Sequence, residues 1–126
     1  MKVFVYGSLK KGFYNNVVLG DSEFVAVDVV SGYSLISLGA FPMAIPDPYG
    51  QVIGEVYYVT PETLEKLDRL EGFHIDNPYS SMYDRQVVQG EMEGNMLMYV
   101  APERVKGSSA KKFEFWNKGY RYNDYL

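Results

Sequence analysis

Glu71 is the residue whose type and position best suit proton-transfer chemistry. It closes the stretch Leu64-Glu65-Lys66-Leu67-Asp68-Arg69-Leu70-Glu71-Gly72. Leu64, Leu67 and Leu70 recur on one side of a helix and are expected to hold it to a core. Glu71 falls four residues after Leu67, beside that stripe rather than opposite it. At a helix's last turn the macrodipole disfavours a negative charge by about 0.3–1 kcal/mol, too little to make a catalytic base. Desolvation against an apolar wall raises a carboxyl pKa much further. A glutamate poised between its two forms near neutrality can both take and give a proton. A solvated glutamate at a helix end fits the same pattern.

A second candidate lies some sixty residues earlier in the sequence. Val3-Phe4-Val5-Tyr6 has the length and character of a buried strand, and it stops at Gly7-Ser8. A glycine there permits a positive φ, or lets a ligand approach the main chain closely. Amides around Ser8 could hold an anionic or carbonyl group, although an ordinary strand-to-loop turn has the same residues. Other polar groups carry weaker signals. Asp68 is expected to pair locally or cap. Glu55 stands on an otherwise apolar strand face and must find a partner, with Arg85 available, or serve as a second site carboxylate. His74 reads as a surface histidine. Tyr83 and Arg85 share a strand face by period two, which suits either a ligand or plain packing and an ion pair.

Composition narrows the classes. The 126 residues are 47% hydrophobic and 16% aromatic, with a net charge of −4, which suits one globular domain spanning 1–126. Basic residues do not cluster with aromatics, so nucleic acid is not expected as a partner. The sequence has no cysteine and a single histidine, which excludes disulfides, thiolate zinc sites and cysteine nucleophiles. The first apolar run is too short for a signal peptide or membrane span, and a cytoplasmic location is the expectation. Twelve tyrosines suit pocket walls, each ring needing a partner for its hydroxyl.

These residues need elements to place them. Strands are expected over Val3–Tyr6, over 24–36 with a hairpin turn or bulge at Ser31-Gly32, and over 51–59. The last has two largely apolar faces and should be central. A short helical turn is expected in 13–20. Residues 37–50, with three prolines and two glycines, read as a structured loop, whose Phe41, Met43 and Ile45 should pack over something. Thr60-Pro61-Glu62 opens a helix that Gly72 closes. After a loop over 73–81, a hairpin has arms at 82–91 and 95–101. Ser109 reads as the N-cap of a second helix, 110–118, with Phe113, Trp116 and also Phe115 as candidates to pack inward and Gly119 closing it. Strands outnumber helices without alternating with them, so the fold class is α+β, a mostly β core with two helices packed on it.

Several separate stretches then combine in order. They are Val5-Tyr6-Gly7-Ser8-Leu9-Lys10-Lys11-Gly12, Asn15, Phe41-Pro42, Gly54-Glu55-Val56-Tyr57, Leu67-Asp68-Arg69-Leu70-Glu71, Tyr83-Asp84-Arg85 and Arg121-Tyr122-Asn123. Over nearly its whole length the chain resembles the γ-glutamylcyclotransferase-like superfamily, which includes γ-glutamylamine cyclotransferases and plant AIG2-like proteins. The resemblance implies a small mixed β-barrel flanked by two helices. It implies that Glu71 is the general acid/base and that Tyr6, Gly7, Ser8 and Leu9 hold a γ-glutamyl group through backbone amides. Tyr83 and Arg85 would lie near the site or brace it, and Asn15, Pro42 and Tyr122 would complete the substrate-binding set. The implied reaction is cyclisation of a small-molecule γ-glutamyl amine or amide to 5-oxoproline, with no cofactor and no metal. Some members that share the turn and the Gly-Glu-Val-Tyr strand lack the glutamate and have no established activity. This sequence retains it, which favours an enzyme over a non-catalytic binding protein with the same pocket.

Overall fold

A computed structural model of the chain describes residues 1–77, 80–105 and 111–116. Five strands close into a barrel: β1 (Lys2–Val5), β2 (Glu23–Ser37), β3 (Pro42–Tyr58), β4 (Asp84–Gly90) and β5 (Gly94–Val100). Around the barrel their order is β1-β3-β2-β4-β5. The sheet is mixed, because β1 pairs antiparallel with β3 but closes the barrel by running parallel to β5, Val3 opposite Leu97 and Phe4 opposite Met98. As its two apolar faces require, β3 is central, between β1 and β2.

One buried cluster draws on all five strands, through Phe4, Val30, Val52, Val56, Val88 and Met96 among others, and so fills the barrel. A second lies outside it, where Leu67 and Leu19 pack on Val3, Val5, Tyr57 and Tyr99. Leu67 comes from α1 (Pro61–Glu71) and Leu19 from a 3₁₀ helix, Tyr14–Leu19, and Val105 of a further 3₁₀ turn, Glu103–Val105, packs on the same cluster. The hydroxyl of Thr60 accepts from the N–H of Thr63 to cap α1, and Gly72 ends it at φ 67 with Phe73 N–H bonded to the Asp68 carbonyl. Asp28, buried in β2, accepts from the N–H groups of Met92 and Glu93 and fastens the β4–β5 turn. Among the described residues no helix is long and apolar enough to cross a membrane.

Three expectations need correction. Residues 42–50 are strand, not loop, and Met43 and Ile45 are buried in the outer cluster. The strand tolerates its prolines because of where their missing donors would point. Ala44 directs its N–H to the Tyr6 hydroxyl and its carbonyl to Ala101 N–H, away from β2. Pro42 and Pro46 share that parity, so no ladder bond to β2 is lost. Second, 111–116 is not helical. Phe113 exchanges both backbone hydrogen bonds with Leu35, and Glu114 accepts from Ile53, so the segment crosses the barrel as an extended strap. Phe113 and Trp116 stack at 5.7 Å between ring centroids, with Trp116 buried in the barrel cluster. Ser109 and 117–119 lie outside the described residues. Third, Leu70 does not face the core; it is 40% exposed. The Ser31-Gly32 break is a bulge, where the register with β3 shifts between Ser31 and Tyr33.

Candidate active site

At the end of β1 the chain turns sharply. The N–H of Lys10 donates to the carbonyl of Gly7 at 3.1 Å, which closes a turn whose central residues are Ser8 and Leu9. Central residues of such a turn keep their N–H groups out of its own hydrogen bond and so free to face a ligand. The next helix clasps the turn from the side. Asn15 gives its side-chain amide to Ser8 Oγ (2.8 Å) and its N–H to the Ser8 carbonyl (3.1 Å), while Asn16 binds the Leu9 carbonyl (2.8 Å). Gly7 stands in a crowded place rather than at a positive φ: a Cβ there would lie 3.0 Å from Pro42 Cγ, so the proline ring would have to give way.

Pro42 is itself held, because its carbonyl accepts from the Tyr83 hydroxyl at 2.7 Å. The Tyr6 hydroxyl donates to the carbonyl of Tyr99 at 2.6 Å and accepts from Ala44 N–H. Burial first, and Glu71's charge further down, push both phenols well above their ordinary pKa. They are therefore protonated donors at any physiological pH, spent on backbone carbonyls.

These groups line an open-mouthed cavity of about 230 Å³. Its wall includes Tyr6, Gly7, Ser8, Leu9, Asn15, Pro42 and Tyr83, all singled out from the sequence. It also includes Glu71. The glutamate arrives from the last turn of α1, half-buried, with no hydrogen-bond partner among the described residues. Burial pushes its carboxyl from 4.5 to about 7. A carboxyl of that kind exists in both forms at neutral pH, beside a turn that offers amide donors. The pair can bind a carbonyl or carboxylate and move a proton next to it.

The remaining candidates stand elsewhere. Arg85 does not line the cavity: its guanidinium pairs with Asp68 and lies 4.8 Å over the ring of Phe73. Asp68 also accepts from the Tyr99 hydroxyl at 2.6 Å, so Arg85 and Tyr99 together brace α1 from behind. Glu55 does not pair with Arg85. Its carboxylate accepts from Lys11 N–H (2.8 Å) and the Tyr57 hydroxyl (2.9 Å), anchoring the chain just after the turn. Burial, then Glu55, pushes the Tyr57 phenol up to about 12. His74 is exposed in the 73–81 loop. Tyr122 lies outside the described residues.

Tyr14, Phe41, Leu70, Met82 and Tyr99 also line the cavity. The sequence hinted at Phe41 alone, as an apolar side chain in a proline-rich stretch. Lys10 was missed altogether. Its side chain is buried, donates to the carbonyl of Trp116 and lies 3.7 Å over the ring of Phe115. Burial lowers its ammonium pKa to about 8.

Comparison with known proteins bears on this arrangement. The family described as gamma-glutamyl cyclotransferase, AIG2-like, matches residues 3–118. The γ-glutamylcyclotransferase family protein YtfP of Escherichia coli K12 is 35% identical over 107 residues, 85% of this chain and 88% of its own. The solution structure of the Escherichia coli protein superposes with a TM-score of 0.65 at 32% identity over the full length of both chains. An AIG2-like protein of Mus musculus superposes with a TM-score of 0.70 at 27% identity, over 97% of this chain and 94% of its own. With the family matched across nearly all its length, and a relative above 30% identity over most of it, the chain belongs to the gamma-glutamyl cyclotransferase, AIG2-like family.

Proposed function

We propose that the chain is a γ-glutamyl cyclotransferase-type enzyme, converting a γ-glutamyl amide into 5-oxoproline and the free amine, with Glu71 as general acid/base. The carrying observation is that one cavity holds both the amide-bearing turn and a carboxyl poised near pH 7. In a γ-glutamyl amide the α-amine can reach the γ-carbonyl by closing a five-membered ring. A pocket that folds the substrate this way makes the attack intramolecular, and such positioning can supply about 7–11 kcal/mol of the barrier. Ionised Glu71 takes a proton from the α-ammonium, and the freed nitrogen forms a bond to the γ-carbon. Amides of Ser8 and Leu9 hold the γ-glutamyl group and offset negative charge that develops on its oxygen. As the original C–N bond breaks, protonated Glu71 gives its proton to the departing nitrogen. The ring nitrogen's second proton goes to solvent, and the released amine takes one up as ammonium.

The test is Glu71→Gln against a set of γ-glutamyl amides, with 5-oxoproline release as the readout. Turnover should fall by roughly 10²–10⁴-fold with binding retained, the span that a positioned acid/base supplies. A variant that turns over as fast as wild type removes Glu71 from the chemistry. Binding by wild type without any 5-oxoproline makes the chain a non-catalytic binder.

A further inference from the structure

Three elements each bring an exposed apolar side chain to the mouth of this one cavity. Tyr14, 71% exposed, opens the 3₁₀ helix; Leu70, 40% exposed, lies in the last turn of α1; Met82, 54% exposed, lies just before β4. Scattered singly on a surface, such side chains mean little, but converging on a single opening they form a patch that suits an apolar occupant. Their positions relative to the chemistry are also informative. Leu70 directly precedes Glu71, and the N–H of Met82 is bonded at 2.9 Å to the carbonyl of Gly72, which follows it. Tyr14, on a different element, stands next to the Asn15 that clasps Ser8.

We infer that this rim selects the leaving group, so that the substrates are γ-glutamyl amides of apolar amines, aryl or bulky alkyl. The inference rests on the reaction proposed above. The γ-glutamyl part is held at Ser8 and Leu9, and the departing nitrogen must come within proton reach of Glu71. Whatever that nitrogen carries then extends over the residues adjoining Glu71, which are Leu70 and Met82, and across to Tyr14. Burying apolar surface there favours a large hydrocarbon substituent over a methyl group. A carboxylate in that place, as in a γ-glutamyl α-amino acid, would instead meet the charge of Glu71 itself.

Three probes separate the possibilities: γ-glutamyl benzylamide, γ-glutamyl methylamide and γ-glutamylglycine. Binding is measured by calorimetry on Glu71→Gln, which leaves the probes intact. The benzylamide should bind at least about ten-fold more tightly than either the methylamide or the glycine compound, whose small substituents bury little apolar surface on the rim. Adding Met82→Ser or Tyr14→Ser should cut the benzylamide preference several-fold, with thermal melts showing that both variants fold. Equal affinities, tighter binding of the glycine compound, or an unchanged preference in both variants overturns the inference. Release of 5-oxoproline by the wild-type protein is followed in parallel. The expected ranking without 5-oxoproline sinks the proposed reaction and leaves the rim's selectivity standing. Production of 5-oxoproline without the ranking does the reverse, and no binding of any probe sinks both.

Discussion

Glu71 is held where an anion is poorly accommodated, and that has a consequence for stability that needs no substrate to measure. Burial lifts its carboxyl from 4.5 to about 7, so the folded chain keeps a proton there at pH values where the unfolded chain has lost it. Below about pH 4.5 both states are protonated and there is no penalty. The penalty grows as pH climbs toward 7 and is complete above it. Glu71→Gln keeps the shape and removes the charge. It should be more stable than wild type at about pH 8, by up to roughly 3 kcal/mol, and no more stable at about pH 4. Urea unfolding at the two pH values measures this; an equal difference at both would mean that the carboxylate is well solvated. How much of this residue the sequence revealed follows from periodicity. The leucine spacing placed Glu71 beside the buried stripe, because helical geometry is local. It could not supply the wall that desolvates it, since Tyr6, Tyr83 and Tyr99 arrive from the residue after β1, the start of the hairpin and β5.

At the scale of the element, α1 positions Glu71 through two attachments. Leu67 is fully buried against the barrel, and Asp68, one residue on, accepts from Tyr99 and pairs with Arg85. Tyr99 also lends its carbonyl to Tyr6, so the same residue ties the helix that carries the acid to the strand that carries the turn. Tyr99→Phe keeps the ring and the carbonyl but removes the donor to Asp68. It should cost about 1–3 kcal/mol of stability and lower kcat more than it raises KM, because the acid shifts while the turn stays formed. A change in KM alone would place Tyr99 in ground-state binding instead. The elements that sequence reasoning misplaced have specific physical causes. Prolines in 42–50 signal a loop unless it is known that at Pro42 and Pro46 the missing N–H groups face away from the neighbouring strand. Phe113 and Trp116 sit three apart, as on a helix face, yet an extended strap can stack the same two rings. By contrast α1 was legible to its ends, as its cap, its first-position proline and its left-handed glycine are all local signals.

The whole molecule joins distant parts of its sequence at the site. The strap at 111–116 seals the barrel with Trp116, and through that residue's carbonyl it holds Lys10, the residue that completes the turn at Gly7. Lys10→Met keeps the buried stem but removes the donor. It should destabilise the protein by about 1–3 kcal/mol and shift the emission of the sole tryptophan to the red as the strap loosens. Unchanged emission and stability would show that the strap needs no latch. The same clasp has a bearing on how the protein acquires its shape. It closes a loop of 106 residues, and the Tyr6–Tyr99 bond closes one of 93, so the turn after β1 is fixed by contacts among the most non-local in the fold. Contacts of that range carry the largest loop-closure entropy and tend to form late. The turn at Gly7–Lys10 therefore takes its final form only when chain about a hundred residues further on arrives, so assembly of the cavity wall marks the close of folding.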